Sequence, residues 1–289
     1  MNPKICIVGS ANIDQISYVD TIPSDGETVF GDSYQMGFGG KGANQAVMAG
    51  LLGADVYMIA CLGTDVYNKM TVDNLNNNNV NTDFIQTVNG SSGVAPIWVD
   101  KTGQNRIIVI PGANNLIDAD IAIDSLSNIG PLDVVVGQFE IPLEVNEKVF
   151  EYAKNNGVQT VLNPAPAGDV SEKLLNNTSW FIPNEVEFEE MLGEPFNENA
   201  LLKHSKETKP EIIVTLGEKG CAEVSDGKVY IHQAKKVTAI DTTGAGDAFV
   251  GSFAYGLASK MSKQDSIQLA LEKATNSVTK KGTQSSYKD

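Results

Sequence analysis

Short apolar segments alternate with segments of helical periodicity through most of the chain. The apolar segments are rich in β-branched and aromatic residues, which favour strands. They lie at 5–8, 57–61, 134–137, 160–162, 180–182 and 212–215, and helical patterns occur at 43–52, 143–156, 185–192 and 265–279. This alternation predicts an α/β fold in which helices flank both faces of a mostly parallel central sheet.

Two segments interrupt this alternation. Residues 16–35 contain two strand-like runs joined by the turn sequence Pro23-Ser24-Asp25-Gly26. Residues 95–100 and 105–110 form a second such pair, joined by Lys101-Thr102-Gly103-Gln104. We expect a small second sheet from about 14–36 and 93–110, whose open face covers a substrate or another subunit. With no repeat and no long linker, residues 1–289 are predicted to form one domain.

The charge and the apolar content limit the classes of partner. The formal net charge is −15 and Arg106 is the only arginine, which argues against nucleic acid but not against a nucleotide. No signal-peptide core begins the sequence, and no apolar stretch approaches about 20 residues. We therefore expect a cytoplasmic protein with no membrane partner. The scattered Cys6, Cys61 and Cys221 are expected to be buried thiols.

The strongest chemical motif lies at 241–249, Asp-Thr-Thr-Gly-Ala-Gly-Asp-Ala-Phe, and leads into a helical pattern at 250–258. Gly244, Ala245 and Gly246 are placed at a helix N-terminus, where free N–H groups attract an anion. Asp247 follows in the first turn. A carboxylate beside an anion site suits phosphoryl transfer to an alcohol, with the carboxylate as base. The alternative is an ordinary helix capped by Thr243 or Asp247.

A second glycine-rich segment spans 37–45, Gly-Phe-Gly-Gly-Lys-Gly-Ala-Asn-Gln. It satisfies G-x-G-x-x-G, but it follows the hairpin-like segment and not the first parallel strand, which disfavours a dinucleotide-binding dehydrogenase. It is not a Walker A loop, since Gly42 stands where Ser or Thr belongs. Glycines flanked by Lys41 and Asn44 suit a polyhydroxylated substrate. A purely structural turn is the alternative.

From about residue 5 to residue 286 the chain resembles the ribokinase branch of the PfkB carbohydrate kinases. Residues 39–46 are similar to one family signature in its ribokinase form, and 241–247 to the signature shared by the whole family. The resemblance implies a ribokinase-like fold with the small sheet as a lid, and ATP-dependent phosphorylation of D-ribose at the 5-hydroxyl to give ribose 5-phosphate and ADP. It also implies Mg²⁺ with ATP, activation by K⁺ and a homodimer formed through the lid.

The resemblance assigns Asp247 as catalytic base, with Gly244, Ala245 and Gly246 as the anion hole. The implied sugar contacts are Asn12, Asp14, Gly40, Lys41, Gly42, Ala43, Asn44, Glu140 and Asp247. The implied ATP contacts are Asn184, Glu187, Thr215, Leu216, Gly217, Glu218, Lys219, Gly220, Gly246 and Asp247, with Asn184 and Glu187 also linked to Mg²⁺. The positions matching the K⁺ site are Asp241, Thr243, Ser277, Lys280, Gly282 and Ser286.

Simpler roles remain open for several of these residues. Asn12 and Asp14 are also typical of a turn after a strand, and Glu140 of a residue near a helix N-terminus. Asn184 and Glu187 have the spacing of a capping box. Two other functions also remain: a PfkB kinase for deoxyribose, fructose or a nucleoside, and a catalytically silent protein that binds sugar or nucleotide.

Overall fold

The computed structural model describes residues 2–288 and contains two sheets. The strands are β1 (Lys4–Val8), β2 (Asn12–Val19), β3 (Gly31–Gly39), β4 (Asp55–Leu62), β5 (Val80–Asn81), β6 (Ile85–Thr87), β7 (Gly93–Asp100), β8 (Asn105–Ile107), β9 (Val134–Gln138), β10 (Gln159–Asn163), β11 (Trp180–Phe181), β12 (Glu211–Thr215), β13 (Cys221–Ser225) and β14 (Lys228–His232). The helices are α1 (Lys41–Leu51), α2 (Val66–Asn77), α3 (Ala119–Ile129), α4 (Leu143–Asn155), α5 (Glu172–Asn177), α6 (Glu185–Leu192), α7 (Glu198–Glu207), α8 (Ala245–Ala258) and α9 (Lys263–Ser277). Short 3₁₀ turns occupy Gly112–Leu116, Gly217–Lys219 and Gln284–Tyr287.

The central sheet has the order β14-β13-β12-β11-β10-β9-β1-β4-β5, and β6 extends the pairing of β4. Its pairings are parallel from β12 to β5, and antiparallel between β12, β13 and β14. The predicted mostly parallel sheet is confirmed. The antiparallel edge formed by β13 and β14 was not predicted, because β14 is short and its apolar run covers only Val229, Tyr230 and Ile231.

Hydrophobic cores lie on both faces of this sheet, as predicted. Along β1, Ile5 and Ile7 belong to one core and Cys6 and Val8 to the other, because successive strand residues point to opposite faces. Helices α1, α8 and α9 cover the first face. Helices α3, α4 and α7 contribute to the second. Within residues 2–288, no helix is both long and apolar enough to cross a membrane.

The four strands of the small sheet have the order β3-β2-β7-β8. Strand β2 is antiparallel to β3 and parallel to β7, and β7 is antiparallel to β8. The predicted second sheet is therefore present. Its first strand begins at Asn12, earlier than the pattern from residue 16 indicated, so Asn12 and Asp14 are strand residues. The interpretation of these two residues as turn formers is wrong.

Close packing of α1 against α8 brings the two glycine-rich segments together. Gly251 makes this approach possible, since a methyl group there would lie 2.6 Å from the carbonyl oxygen of Gln45. Side chains at the starts of the two helices can therefore reach one another, although they are about two hundred residues apart in the sequence.

Candidate active site

The candidate site lies at the carboxyl ends of the parallel strands. Gln138 ends β9, Asn163 ends β10 and Thr215 ends β12, and Ser10 follows β1 closely. Open α/β sheets bind ligands at this edge, because the loops that follow the strands converge there. The start of α1 reaches this edge, since the Ala43 N–H donates to the Ser10 carbonyl oxygen at 2.8 Å and Gln45 Nε2 donates to Asn163 Oδ1 at 3.2 Å. The start of α8 is held beside it by the hydrogen bond from Gln45 to Asp247.

Asp247 has hydrogen bonds to both of its carboxylate oxygens. Asn44 Nδ2 donates to Oδ2 over 2.8 Å, and Gln45 Nε2 donates to Oδ1 over 3.0 Å. The side chain is only 6% exposed. Burial raises the pKa of Asp247, against the opposing effects of Lys41 and of the two amide donors. The carboxylate thus binds the side chains of α1 and is not a cap of its own helix.

The N-terminus of α8 has no side-chain cap among the described residues, so neither Thr243 nor Asp247 caps it. The helix begins after Gly244, whose φ of 77° is one that glycine adopts readily. A methyl group on Gly246 would have no neighbouring atom within 4 Å, so the space beside this residue of the first turn is open. Uncapped N–H groups beside open space form a suitable anion-binding site.

The end of the chain closes one side of this turn. Tyr287 Oη donates a 2.7 Å hydrogen bond to the carbonyl oxygen of Gly244. A methyl group on Gly244 would lie 2.4 Å from Thr283 Cγ2 and 2.7 Å from Tyr287 Oη. The short C-terminal segment therefore supports the glycine-rich turn directly, a contact that no local sequence signal indicated.

Asn12 and Asp14 extend from β2 next to the glycines of β3. The register pairs Asn12 with Gly39 and Asp14 with Gly37. A methyl group on Gly39 would lie 2.3 Å from Asp14 Oδ1, so the missing side chain makes room for the carboxylate. Burial raises the pKa of Asp14 to about 6, with further contributions from Glu140 and Asp247.

Glu140 contacts the start of α1. Its Oε2 accepts hydrogen bonds from the Lys41 backbone N–H at 2.9 Å and from Ser10 Oγ at 2.5 Å. The alternative interpretation, in which Glu140 caps the N-terminus of α4, is wrong, because the N-cap residue of α4 is Pro142 and the helix has no side-chain cap. Ser10 was not identified from the sequence, where a serine after a strand carries no distinctive signal.

Asn114 is a further residue that the sequence did not reveal. It is 1% exposed, and its Nδ2 donates to Asn12 Oδ1 over 2.7 Å. Its Oδ1 accepts from the Ala11 backbone N–H at 3.0 Å. Since the oxygen of Asn12 is occupied, the Asn12 amide group is oriented with Nδ2 as the end that is free to donate to a ligand.

Asn184 and Glu187 form a complete capping box at α6. Asn184 Oδ1 accepts from the Glu187 N–H and Glu187 Oε2 accepts from the Asn184 N–H, both at 2.8 Å. The predicted capping box is therefore confirmed, and Glu187 Oε1 takes no part in it. Burial raises the pKa of Glu187, an effect that the Asn184 N–H and Lys41 partly offset.

Lys41 is the cation among these carboxylates. Burial alone would lower the pKa of Lys41, but Asp247, Glu140 and Glu187 together raise it.

The segment 215–220 lies beside the start of α6. Thr215 forms a parallel bridge with Asn184, and its N–H donates to the Pro183 carbonyl oxygen at 2.9 Å. A tight turn follows, in which the Leu216 N–H donates to the Gly220 carbonyl oxygen at 2.8 Å. The predicted nucleotide residues Thr215, Leu216, Gly217, Glu218, Lys219 and Gly220 are therefore adjacent to Asn184, with Lys219 Nζ 3.9 Å from Glu185 Oε1.

Two loops that carry the positions matched to K⁺ are joined by Asp241. Its Oδ1 accepts from the Thr243 N–H and its Oδ2 from the Gly282 N–H, each at 2.9 Å. Although burial acts in the opposite direction, these amide hydrogen bonds hold the pKa of Asp241 below its usual value. Lys280 N–H donates to the Ser277 carbonyl oxygen at 3.2 Å, and Ser286 Oγ donates to the Thr283 carbonyl oxygen at 2.7 Å.

A cluster of three or more His, Cys, Asp or Glu side chains that could hold a metal ion does not occur in residues 2–288.

Comparison with known proteins identifies the family. The model of the pfkB family of carbohydrate kinases matches residues 2–289. A ribokinase from Haemophilus influenzae is 38% identical, covering 99% of this chain and 95% of its own, and a deoxyribokinase from Salmonella typhi is 36% identical, covering 98% and 95%. The structure of Arabidopsis thaliana ribokinase complexed with ribose and ATP aligns with a TM-score of 0.88 at 30% identity, over 99% of this chain and 96% of that chain.

The chain belongs to the pfkB family of carbohydrate kinases. Within that family it has the ribokinase-like α/β fold, and it is a kinase of the ribokinase group.

Replacing Asp14 by Asn is expected to stabilise the protein at neutral pH. Because the pKa of Asp14 is raised to about 6, folding opposes its ionisation, and stability falls as pH rises from the unfolded pKa towards 6. At about 1.4 kcal/mol per pKa unit, Asp14→Asn adds up to about 3 kcal/mol to the free energy of unfolding at neutral pH and almost nothing near pH 3, below the unfolded pKa. Urea unfolding at both pH values measures this, with exposed Asp20→Asn as control. Equal gains at both pH values would contradict the explanation.

Proposed function

We propose that this protein transfers the γ-phosphoryl group of ATP to the 5-hydroxyl of D-ribose, giving ribose 5-phosphate and ADP. The observation that carries the proposal is the buried Asp247 carboxylate, held by Asn44 and Gln45 beside the uncapped N-terminus of α8. A base next to an anion site is the arrangement that this reaction needs. The similarity to the Haemophilus influenzae ribokinase and to the Arabidopsis ribokinase complexed with ribose and ATP supports ribose as acceptor.

In the proposed reaction, Asp247 accepts the proton of the primary hydroxyl as its oxygen attacks the γ-phosphorus. The bond from that phosphorus to the β–γ bridging oxygen breaks, and ADP leaves with the bond's electrons. The N–H groups of Gly244, Ala245 and Gly246 stabilise the charge on the transferring group. The raised pKa of Asp247 brings the base nearer to working pH, which favours proton acceptance.

The sugar is proposed to lie between the small sheet and α1. Asn12 donates, Asp14 and Glu140 accept, and Asn44 and Lys41 border the same space. Gly40, Gly42 and Ala43 allow the ligand to approach the backbone. Together these groups offer several charged and amide partners for hydroxyls, which a sugar ring supplies and an apolar ligand does not. Closing the small sheet over the sugar would exclude water that hydrolyses ATP.

ATP is proposed to extend along 215–220 towards Gly246 and Asp247. Mg²⁺ fits near Asn184 and Glu187, since the capping box leaves one carboxylate oxygen of Glu187 outside it and Mg²⁺ typically retains water between itself and such ligands. When bound, the ion neutralises phosphate charge. Lys41, at the start of α1, also neutralises phosphate charge, because Asp247, Glu140 and Glu187 raise its pKa and so favour its charged form.

Deoxyribose is a second candidate acceptor, favoured by the Salmonella typhi deoxyribokinase at 36% identity. A site that binds a hydroxyl discriminates strongly against an analogue that lacks it, because buried partners are then left without a hydrogen bond. The two acceptors are therefore distinguishable by turnover. The hydrogen-bond donors and acceptors of Asn12, Asp14 and Glu140 favour ribose, which has one more hydroxyl group than deoxyribose.

The direct test is ADP release with Mg-ATP and K⁺ across ribose, deoxyribose, fructose and adenosine. We expect ribose-dependent release, reduced by about 10²–10⁴-fold in Asp247→Asn, the usual contribution of a general base. Sugar binding should persist in this variant. Near-normal turnover in Asp247→Asn would exclude Asp247 as base. Release with another acceptor would reassign the sugar, and no release with any acceptor would favour a silent binding protein.

We infer that K⁺ binds between the loops joined by Asp241. The candidate donors are oxygens of Asp241, Thr243, Ser277, Lys280, Gly282 and Ser286, several of them backbone carbonyls, and oxygen ligands suit such a cation. Its binding would order the turn that leads to Gly244. Turnover should rise when K⁺ replaces Li⁺ at constant ionic strength, and Asp241→Asn should reduce the response several-fold. Equal turnover in both salts would contradict this inference.

We also infer that two copies pair through the small sheet. Its strands and flanking loops expose apolar side chains to an extent unusual for an isolated surface. They are Phe30, Tyr34, Met36, Ile107, Ile108, Val109 and Ile110. Sedimentation at micromolar concentration should detect a dimer, and Phe30→Asp should weaken it; a monomer at all concentrations would contradict the inference.

A further inference from the structure

A chain of side-chain amides leads from α2 to one oxygen of Asp247. Asn74 Nδ2 donates to Gln284 Oε1 over 2.7 Å, and Gln284 Nε2 donates to Asn44 Oδ1 over 2.9 Å. Asn44 Nδ2 then donates to Asp247 Oδ2 over 2.8 Å. The asparagine-rich end of α2 anchors the chain, since Asn78 Nδ2 donates to Asn74 Oδ1 at 3.2 Å and to the Asn74 backbone carbonyl oxygen at 2.7 Å.

A second set of amides reaches the other oxygen. Gln138 Nε2 donates to Gln45 Oε1 over 2.8 Å, and Gln45 Nε2 donates to Asp247 Oδ1 over 3.0 Å. Gln45 Nε2 also lies 3.2 Å from Asn163 Oδ1. In both sets, therefore, the residue that contacts Asp247 has its own oxygen occupied by a glutamine.

This occupation matters because a primary amide has one acceptor end and one donor end. If the Asn44 amide rotated by half a turn, its oxygen would face the Asp247 carboxylate, and two acceptors would be opposed in a buried site. The Gln284 donor prevents that rotation, since it needs an oxygen opposite it. Gln284 is 5% exposed, so water is a poor substitute for the lost partner.

We propose that Gln284 is a positioning residue for the catalytic base, acting through Asn44, and that Gln138 acts in the same way through Gln45. This proposal rests on the proposed role of Asp247. It gives the C-terminal segment and the asparagine-rich end of α2 a part in the reaction, although neither contacts the substrate. With the donors correctly oriented, their hydrogen bonds favour the ionised form of Asp247 against the effect of its burial.

A merely structural role would have a different signature. If Gln284 only filled space, replacing it by Met, which has a similar length, would change stability or sugar affinity but not the proton affinity of Asp247. If Gln284 orients Asn44, the same change releases the Asn44 amide, and the protonated form of Asp247 becomes more favoured.

The experiment is an infrared titration of the Asp247 carboxyl group in isotopically labelled protein, with its band assigned by its loss in Asp247→Asn. We expect Gln284→Met to raise the midpoint by about one pKa unit, as loss of a hydrogen bond to the charged form does. Asn74→Leu, which removes the donor to Gln284 together with the Asn74 Oδ1 acceptor of Asn78, should raise it by less. The matched control is Ser285→Ala, since that exposed hydroxyl donates to the Lys281 carbonyl oxygen and not to the network; it should leave the midpoint unchanged.

The acidic limb of kcat should shift to higher pH by the same amount in Gln284→Met. An unchanged midpoint in both folded variants, Gln284→Met and Asn74→Leu, would overturn the proposal, and circular dichroism checks folding. If Gln284→Met does not fold, Asn74→Leu alone decides the question. The titration needs no turnover, so absence of ADP release in the wild type would count against the proposed function while the midpoints still test this inference.

Discussion

The structure depends on one contact, between the side chains at the start of α1 and a carboxylate at the start of α8. Asp247 belongs to α8, yet Asn44 and Gln45 of α1 supply both of its hydrogen bonds. Close approach of the two helices at Gly251 makes these distances possible. The first turn of α8 follows Gly244 and has no side-chain cap, so a base and an anion site are neighbours without any contribution from a ligand.

Charge is concentrated around this contact at a cost to stability. Four carboxyl groups shift one another's pKa values or that of Lys41; they belong to Asp14, Glu140, Glu187 and Asp247. Burial raises the pKa of Asp14, Glu187 and Asp247. A fold selected for stability alone would not bury several acids beside one lysine. The arrangement is explicable if hydroxyl groups and phosphate complete the site, and it explains why a neutral side chain at position 14 is expected to stabilise the free protein.

Local patterns predicted the parallel strands and most helices, because a buried strand and an amphipathic helix each have a periodicity that short segments reveal. The glycine-rich turns were recognisable from their composition and from the helical patterns that follow them. Ser10, Asn114, Gln284 and Tyr287 were not, since each acts on a partner that is distant in sequence and has an unremarkable local context. Asn184 and Glu187 show the opposite case. Their capping box was recognisable from the sequence spacing, but the effect of Glu187 on Lys41 follows only from the fold.

The central claim is that α1 supports the reaction by acting on Asp247, and a double-mutant cycle tests it most directly. Residual phosphoryl transfer is measured with radiolabelled ATP in the wild type, Gln45→Met, Asp247→Asn and the double variant. If Gln45 acts through Asp247, Gln45→Met lowers turnover about tenfold or more in the wild type and causes no further loss in Asp247→Asn. Equal fold losses in the two backgrounds would mean that α1 and the carboxylate act independently, which would contradict the account.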